Sequence, residues 1–567
     1  MHVFESRPPL ELLVQTVDTN SSLMLSRQFF LDPYMVMDGT ASIIAIVATI
    51  LAALHQIGAR RVLLLPGPTK GHISRLASIG EGLAKRGHQV VVALHKDFKC
   101  PESARKLGVS VLYYGHHGKM NHGADSNHIY HNHFLTETLH NEFRQLEGAI
   151  WDKAFEACTS VLSDLPLFKK FKALNLDFVL VDGHFAYRCL YIVPHKLGVP
   201  YGSFTEALPT DLVSTLMTIP SFHPHQMSMD CRSPDMDFHG RFKNSVEMIL
   251  GALYIYFKTE DNTYRQYSQD KPYVSLRELA EGTHLWILDL DPLLDFAYPA
   301  MPNVVYSGGI NLKVQPLSLP PDLEEFANSA DDGLIVVTFG SGLQNVPNHH
   351  ADKMAQVFGK LTQKVIWRNQ GKPNVKLPKN VKLMDMIPLE GLLHHQKTKL
   401  FISHCGPGGQ NQAIFHGVPM LAFPVTGEQL YNAMRLEIKG IGIKLDFLNF
   451  TTGEFERSIR DIIEYNTSYS TTAKFYSQML KDRPYDVHDT VMYWLEHVMQ
   501  YGGEHLRSQT VQLTWYQLLL FDVSSVLAVA VIVISIATFF LIRILCRCCY
   551  RMKALLDRFA DEKIKMD

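Results

Sequence analysis

The sequence predicts an α/β protein with two Rossmann-like halves that face each other across a cleft, followed by one membrane-spanning helix. Two series of short apolar strands alternate with helical periodicity, one over residues 61–201 and the other over 333–424. Strands of this kind are typical of parallel sheets that are covered on both faces. Residues 523–542 then carry no charge, and twenty helical residues can cross a hydrocarbon core of about 30 Å.

Composition narrows the class of protein. The 567 residues include 54 Lys and Arg against 56 Asp and Glu, which gives a formal net charge of -2. This balance argues against a nucleic-acid-binding protein, which normally carries a basic surface. Eight cysteines in so long a chain are too sparse for a disulfide scaffold. At roughly 100–200 residues per domain, we expect two to four domains.

The first series predicts a strand at 61–66, a turn at 67–72 and a helix at 74–85, followed by strands at 89–94, 177–182 and 198–201. The second series predicts strands at 333–341, 364–368, 381–383, 399–404 and 420–424. Several of these strands end in Gly, Ser, Asp or His. Such residues lie at the carboxyl edge of the sheet, where open α/β folds bind ligands. The segment 301–321, rich in Pro and Gly, is the predicted linker.

The two ends of the chain indicate a membrane protein. Residues 41–59 hold an apolar run and small residues that suit a signal peptide, and we expect residues 1–40 to be a leader or an upstream extension. The tail 543–567 carries seven basic against four acidic residues, which predicts a cytosolic C-terminus and a single-pass type I topology. Lys563 and Lys565 resemble a dilysine signal of the endoplasmic reticulum. Asn449 and Asn466 are then candidate glycosylation sites.

A glycine-rich segment at 401–420 carries the strongest chemical signal. A buried strand delivers His404 to a glycine loop, and a helix is predicted to start at about Gly408. Glycines let the backbone approach a phosphate, and a helix N-terminus offers N–H groups and a partial positive charge. Gly340 and Ser341 end another strand in a second small turn. The pattern therefore predicts a diphosphate site between these two strand ends.

From residue 61 to the C-terminus the chain resembles the membrane-bound UDP-glycosyltransferases, which include the animal UDP-glucuronosyltransferases. The matching motifs follow one another in order: 302–304 with 308–309, 339–341, 364–368, Pro388 with 392–393, His404 with Gly406, 416–420, 428–429 with Asn432, 493–496, 505–507 and 513–516. The resemblance implies a GT-B fold with an acceptor domain at 60–300 and a UDP-sugar domain at 322–480. It also implies helices at 481–522 that pack back toward the first domain and the membrane.

The resemblance further implies the donor site. On the family's pattern His404 and Ser341 contact the diphosphate, and Glu428 and Gln429 bind the sugar hydroxyls. The full predicted donor set is Gly340, Ser341, Arg368, Met386, His404, Gly406, Gly408, Gly409, Gln412, Glu428 and Gln429. We expect no cofactor and no metal, because the UDP-sugar is a co-substrate and the GT-B mechanism requires no metal. The seven histidines between His116 and His140 repeat no zinc pattern and predict a polar loop.

Four positions depart from the family's donor motif. Met386 and Leu389 stand where Trp and Gln are usual, Gly408 replaces Asn, and Gln412 replaces the Glu that commonly holds the ribose. A neutral amide forms weaker hydrogen bonds than a carboxylate. The sequence therefore leaves three alternatives open: a glucuronosyltransferase-like enzyme, an enzyme that uses UDP-glucose or UDP-galactose, and a non-catalytic binding homologue.

On the acceptor side, His72 and Asp182 are the predicted catalytic pair. Both follow buried strands of the first series, and an imidazole with a pKa near 6.5 can take a hydroxyl proton at neutral pH. Asp182 would hold the other imidazole N–H, and both positions match the family's catalytic His and Asp. We therefore expect an inverting hexosyltransferase in the endoplasmic-reticulum membrane that acts on small lipophilic hydroxyl compounds. Whether it forms a homo-oligomer stays open.

Overall fold

Two parallel β-sheets carry the architecture in a computed structural model of the chain. The structure describes residues 58–116, 154–205, 236–243, 245–246, 250, 262–267, 269–296, 300–312, 318–340, 343–425, 427–507, 513–518 and 520–564. The predicted leader, signal peptide and most of the histidine-rich segment lie outside these residues, as does Lys565. Of the seven histidines, His116 alone lies within them.

The first sheet has seven parallel strands in the order β3-β2-β1-β4-β5-β6-β7. Its strands are β1 (Arg61–Leu65), β2 (Gln89–His95), β3 (Ser110–Tyr114), β4 (Phe178–Asp182), β5 (Tyr201–Thr205), β6 (Trp286–Leu288) and β7 (Val304–Tyr306). The central strand β1 shows why the sheet is covered on both faces. Val62 and Leu64 pack into one buried cluster, while Leu63 and Leu65 pack into another. Alternate residues of a strand point to opposite faces, so an unbroken apolar run needs a core on each side.

The second sheet has six parallel strands in the order β10-β9-β8-β11-β12-β13. Its strands are β8 (Leu334–Thr338), β9 (Lys364–Arg368), β10 (Val381–Met384), β11 (Thr398–Ser403), β12 (Met420–Ala422) and β13 (Gly442–Lys444). In each sheet the first strand is central. The next two strands lie on one side of it, and the later strands lie on the other side. A crevice forms at the carboxyl edge where the order reverses, between β1 and β4 and between β8 and β11.

Most of the described helices pack on the two sheets, whereas the last one is fully exposed. They are α1 (Lys70–Lys85), α2 (Glu102–Lys106), α3 (Leu165–Ala173), α4 (Ile192–Leu197), α5 (Leu276–Glu281), α6 (Pro321–Asn328), α7 (Asn348–Phe358), α8 (Leu389–His394), α9 (Pro407–Phe415), α10 (Gly427–Ile438), α11 (Thr452–Arg460), α12 (Ser468–Lys481), α13 (Val487–Tyr501), α14 (Trp515–Leu518) and α15 (Phe521–Ile564).

Several predicted boundaries differ from the observed ones, and three of the differences bear on the fold. The turn predicted at 67–72 is shorter, because the Thr69 side chain accepts a hydrogen bond from the His72 N–H and starts α1 at Lys70. The strand predicted at 198–201 begins at Tyr201, since Gly198 adopts a left-handed conformation that ends α4. β7 lies within segment 301–321, which the sequence assigned to the linker. The predicted domain boundaries stay predictions.

The helix α13 returns from the second half of the chain and packs against the first. Its buried residues Val491, Met492 and Leu495 join the cluster that contains the inner face of α1. Contact is close enough that a Cβ on Gly82 would lie 2.8 Å from Met492 Sδ. Arg86 at the end of α1 forms ion pairs with Asp489 at 2.7 Å and with Glu496 at 2.9 Å. Helix α13 is therefore part of the core on one face of the first sheet.

The last described helix, α15, is long and apolar enough to cross a membrane. The candidate span runs over Phe521–Arg558 and is fully exposed in the folded chain. An exposed apolar helix of this kind is unfavourable in water, since its side chains gain nothing from a protein core. The predicted span at 523–542 falls inside it, and the helix continues into the basic tail.

One disulfide joins Cys158 to Cys189. It ties a helical segment at 154–162 to the chain that follows β4, next to the carboxyl end of that strand. Its presence is consistent with an oxidising compartment, where disulfides persist. Cys100 and Cys405 are buried free thiols, whereas Cys546, Cys548 and Cys549 are exposed on α15.

The packing of α13 predicts a large difference between two of its positions. Leu495→Ala removes a fully buried side chain and should lower the free energy of unfolding by about 2–4 kcal/mol. Tyr493→Ala, on the exposed side of the same helix, is the matched control and should change it by less than about 1 kcal/mol. Urea unfolding of the solubilised protein, followed by tryptophan fluorescence, measures both. Equal losses for the two variants would contradict the described packing.

Candidate functional site

The predicted acceptor side of the cleft lies at the carboxyl ends of β1 and β4. His72 lies in the first turn of α1, directly after β1, and Asp182 is the last residue of β4. Because these two strands are neighbours in the sheet, their carboxyl ends bring the two side chains together. His72 Nδ1 and Asp182 Oδ2 are 2.5 Å apart. The two predicted catalytic residues are therefore in direct contact.

Asp182 is held in one orientation by its surroundings. Its carboxylate is fully buried and accepts hydrogen bonds from the backbone N–H groups of Gly67 at 2.8 Å and His184 at 3.1 Å. These donors satisfy a buried charge that would otherwise be costly. We assign the proton of His72 to Nδ1, because a carboxylate can only accept there. Nε2 then carries the lone pair that can take a proton from a substrate.

Gly67 is the residue that allows this arrangement. A Cβ at this position would lie 2.4 Å from Tyr187 Cε2 and 2.8 Å from Asp182 Oδ2. Any larger side chain would therefore push the aspartate or the tyrosine away. The rings of His184 and Tyr187 each lie 6.0 Å from the His72 ring and nearly perpendicular to it. Packing on two sides fixes the plane of the imidazole.

The predicted donor side lies at the carboxyl ends of β8 and β11. His404 follows β11, and its ring lies between two glycines of the predicted donor set. A Cβ on Gly340 would lie 2.5 Å from His404 Cε1, and one on Gly406 would lie 2.7 Å from His404 Nε2. Gly340 also has a φ of +70°, which other residues rarely adopt. Only glycine at both positions leaves room for this imidazole.

His404 is neutral at physiological pH. Burial and, as the smaller cause, the positive charge of Arg368 together lower the pKa of His404 to about 4. The guanidinium of Arg368 donates to the Gly340 carbonyl at 2.5 Å and to the Asp385 carbonyl at 3.1 Å. It thus ties the end of β8 to the loop after β10. Met386, the next residue of that loop, is 69% exposed at the position of the usual aromatic residue.

Helix α9 begins one residue earlier than predicted, with Pro407 in its first turn after Gly406 as the N-cap. Pro is favourable there because the N–H it lacks would have no partner within the helix. No side chain caps this end, since Gly406 has none. Gly408 and Gly409 occupy the rest of the first turn. The remaining N–H groups of that turn point toward the carboxyl edge of the second sheet, as an anion site requires.

Three further polar residues that the predicted set lacks hold α9 in place. Gln410 is fully buried, donates to the Asn432 carbonyl at 2.8 Å and accepts a hydrogen bond from Arg435. Asn432 in turn donates to the Cys405 carbonyl at 3.0 Å. Asn432 is part of the family motif with Glu428 and Gln429, which was the available signal. Gln410 and Arg435 carried no such sequence signal, because their contact joins two different helices and forms only when the chain folds.

The other predicted donor residues lie around this core. Gln412 Oε1 is buried and accepts no hydrogen bond from any residue that the structure describes. Such an acceptor is suited to a ligand hydroxyl. Gln429 is buried, and its Oε1 accepts from the Val425 N–H at 2.9 Å. Ser341 and the Glu428 side chain lie outside the described residues.

Comparison with known proteins now assigns the family. A family model described as UDP-glucoronosyl and UDP-glucosyl transferase matches residues 61–555. The chain belongs to this family. Mouse UDP-glucuronosyltransferase 1A9 is 30% identical over 90% of this chain and 96% of its own. Rat 2-hydroxyacylsphingosine 1-beta-galactosyltransferase is 29% identical over 88% of this chain and 90% of its own. The predicted class of this UDP-glycosyltransferase, a hexosyltransferase, is confirmed.

Solved structures confirm the fold of the UDP-glycosyltransferase. The glycotransferase of kitacinnamycin superposes with a TM-score of 0.54 at 16% identity, over 78% of this chain and 99% of its own. A UDP-glucosyltransferase from Polygonum tinctorium gives a TM-score of 0.54 at 15% identity, with the same coverage. These similarities confirm the predicted GT-B architecture.

Buried neutral histidines in the second half of the enzyme predict a loss of stability on mild acidification. The pKa of His350 is lowered to about 3, chiefly because the ring is buried against Phe447 and Phe450. The unfolded chain takes up a proton near pH 6.5 and the folded chain does not. Stability due to this group is therefore complete above pH 6.5 and falls below it, by at most about 1.4 kcal/mol per pH unit.

Urea unfolding at pH 7.0 and 5.5 measures this dependence. The urea concentration at the unfolding midpoint of the wild-type enzyme should be lower at pH 5.5 than at pH 7.0. The decrease should be smaller for His350→Leu. This interval lies above the range in which most carboxylates titrate. An identical fall in both proteins would contradict a neutral, buried His350.

Proposed function

We propose that the enzyme transfers a hexosyl group from a UDP-sugar to the hydroxyl of a small lipophilic acceptor, with His72 as the general base. The observation that carries this proposal is the 2.5 Å contact between His72 and the buried Asp182. A carboxylate behind an imidazole fixes its tautomer and stabilises the imidazolium that forms when the ring takes a proton. The pair lies at the strand crevice where α/β folds bind ligands.

The reaction follows as a single displacement. The acceptor hydroxyl gives its proton to His72 Nε2 while its oxygen forms a bond to the anomeric carbon. The bond between that carbon and the β-phosphate oxygen breaks, and UDP leaves with the electron pair. Attack and departure on opposite sides invert the anomeric configuration, so that an α-linked donor gives a β-linked product.

The leaving UDP gains negative charge as the bond breaks. In this proposal, N–H groups at the uncapped N-terminus of α9 and on the imidazole of His404 donate hydrogen bonds that stabilise this charge. Donors that are already fixed in place cost no reorganisation during the reaction, which makes this arrangement effective. Gln412 Oε1, as a buried acceptor, is suited to a ribose hydroxyl. The conformation of the loop therefore favours binding of a nucleotide diphosphate.

The sugar itself is a separate question. Relatives of nearly equal similarity are named glucuronosyltransferases and galactosyltransferases. A mass-spectrometric screen of UDP-glucuronate, UDP-glucose and UDP-galactose against phenols, steroids and sphingolipids addresses it. UDP release that requires an acceptor would support a catalyst. If the protein binds UDP-sugars but releases no UDP with any combination of donor and acceptor, the result would support the non-catalytic binding homologue instead.

Substitution of the catalytic pair should reduce turnover without weakening UDP binding. We expect His72→Ala and Asp182→Asn each to lower kcat by roughly 10²–10⁴, the usual contribution of a general base. His88→Gln is the matched control. His88 is also a buried histidine near a carboxylate, with Nε2 3.2 Å from Glu496 Oε1, but it follows the other end of α1.

The measurement combines steady-state transfer rates with calorimetric titration of UDP. Loss of turnover in the two site variants, with unchanged UDP affinity and an active His88→Gln protein, is the expected result. Full transfer activity in His72→Ala would rule out this residue as the base.

We further propose that the catalytic part faces the lumen of the endoplasmic reticulum. Support comes from α15, the one helix among the described residues that is long and apolar enough to cross a membrane, from the basic tail that follows it and from the Cys158–Cys189 disulfide. Both candidate glycosylation residues, Asn449 and Asn466, are exposed. An acceptor that dissolves in the bilayer would then reach a site anchored at its surface.

Glycan removal tests this orientation. Endoglycosidase treatment of protein from microsomes should increase its gel mobility, and the double variant Asn449→Gln, Asn466→Gln should migrate like the treated protein. Protease added to sealed microsomes should remove only the short C-terminal tail. Digestion of the large domain in sealed vesicles would reverse the proposed topology.

A further inference from the structure

Arg75 is a buried cation on the acceptor side of the cleft that neither the motifs nor the proposed base uses. It lies three residues after His72 on α1, so the two side chains share one face of the helix. The residue is only 5% exposed. A guanidinium remains charged under physiological conditions, and burying it costs free energy unless partners compensate.

Asp289 anchors this guanidinium. Arg75 Nε lies 2.5 Å from Asp289 Oδ2, and the aspartate is 3% exposed. Asp289 directly follows β6, and its own N–H donates to the Thr205 carbonyl at 2.8 Å. A backbone fixed by the sheet thus holds the carboxylate, and the carboxylate holds the Nε side of the arginine.

The other end of Arg75 reaches the donor loop. A Cβ placed on Gly408 would lie 3.7 Å from Arg75 Nη2. Gly408 is in the first turn of α9, whose N-terminus has no side-chain cap. A helix N-terminus carries a partial positive charge, so a guanidinium beside it is repelled. An anion between the two would turn this repulsion into attraction from both sides.

We propose that Arg75 binds the diphosphate of the donor from the acceptor side, with Asp289 as its positioning residue. This inference rests on the proposed function. The family pattern has Asn at position 408, where this chain has Gly, and Arg75 occupies the neighbouring space. Arg75 thus supplies a donor contact that the glycine loop has lost. A fork of N–H groups also matches the oxygens of a phosphate.

The role extends to the reaction. Negative charge on the β-phosphate grows as UDP departs, and a fixed cation beside it is worth more in the transition state than in the ground state. Because Arg75 and His72 lie on the same helix, α1 would set the distance between the base and the leaving group. One rigid element then positions both ends of the in-line displacement.

A comparison of UDP with uridine tests the proposal on the full-length enzyme in detergent. Arg75→Gln should raise the Kd for UDP by about 10- to 100-fold, as expected for a lost charge-assisted hydrogen bond. The Kd for uridine, which lacks the diphosphate, should change by less than about twofold. Arg75→Lys should fall between the wild type and Arg75→Gln for UDP, since it keeps the charge but loses the fork.

Arg483→Gln is the matched control. Arg483 forms an ion pair with Asp291, two residues after Asp289, and links the same segment to the second half of the chain. Because this pair helps to hold the two halves together, its loss should shift the affinities for UDP and uridine by a similar factor, without the selective loss of UDP affinity expected for Arg75→Gln. Arg75→Gln leaves Asp289 buried beside an uncharged partner, so the double variant Arg75→Gln, Asp289→Asn serves as a second test in which both charges are removed. It should show the same selective loss of UDP affinity.

A second-site variant gives the sharpest result. Gly408→Asn restores the family's side chain, and a Cβ there makes only an ordinary van der Waals contact with Arg75. Introduced into Arg75→Gln, it should recover part of the UDP affinity. The proposal is overturned if Arg75→Gln binds UDP as tightly as the wild type, or if it loses UDP and uridine equally. A wild-type enzyme that binds no UDP would overturn the proposed function as well.

Discussion

Three buried aspartates in one short segment, Asp289, Asp291 and Asp295, hold α1 and the second half of this enzyme to the edge of the first sheet. Each is paired with an arginine from a different part of the chain: Asp289 with Arg75 on α1, Asp291 with Arg483 after α12, and Asp295 with Arg435 on α10. Removing one partner of such a pair is expensive, because the remaining charge stays buried. The cleft geometry therefore depends on all three pairs at once.

The pair between Asp295 and Arg435 has a direct link to the donor site. Arg435 also donates to Gln410, which lies in the middle of α9 and is fully buried. Burial lowers the pKa of Arg435 to about 10, while the negative charges of Asp291 and Asp289 oppose this shift. The arginine thus stays protonated at pH 7 and connects the acidic segment to the helix that carries the glycine loop. Packing at the junction and the position of the proposed diphosphate-binding helix therefore both depend on Arg435.

The sequence predicted the parts of the fold and site that depend on local pattern. Buried strands such as 61–65 and 364–368 stand out as apolar runs, and their carboxyl ends locate His72, Asp182 and His404. It missed three-residue strands such as Trp286–Leu288, which are too short to show a period. It also placed His72 in a turn, because two glycines flank this segment. In the structure the N-cap residue Thr69 outweighs the glycines, and His72 lies in the first turn of α1. Arg75 and Asp289 carry no motif, since only the folded sheet brings them together.

The departures from the family's donor motif acquire a physical meaning when these contacts are considered together. A glycine at position 408 removes a polar side chain, yet it also leaves the first turn of α9 open to the guanidinium of Arg75. A glutamate at position 412 would add a negative charge one helical turn from a bound diphosphate, whereas the neutral amide of Gln412 can meet a hydroxyl without repelling the phosphates. Under the proposed role of Arg75, a near-neutral chain can hold an anionic donor without a basic surface, because the buried Arg75–Asp289 pair and the N-terminus of α9 place positive charge on the two sides of the proposed diphosphate site.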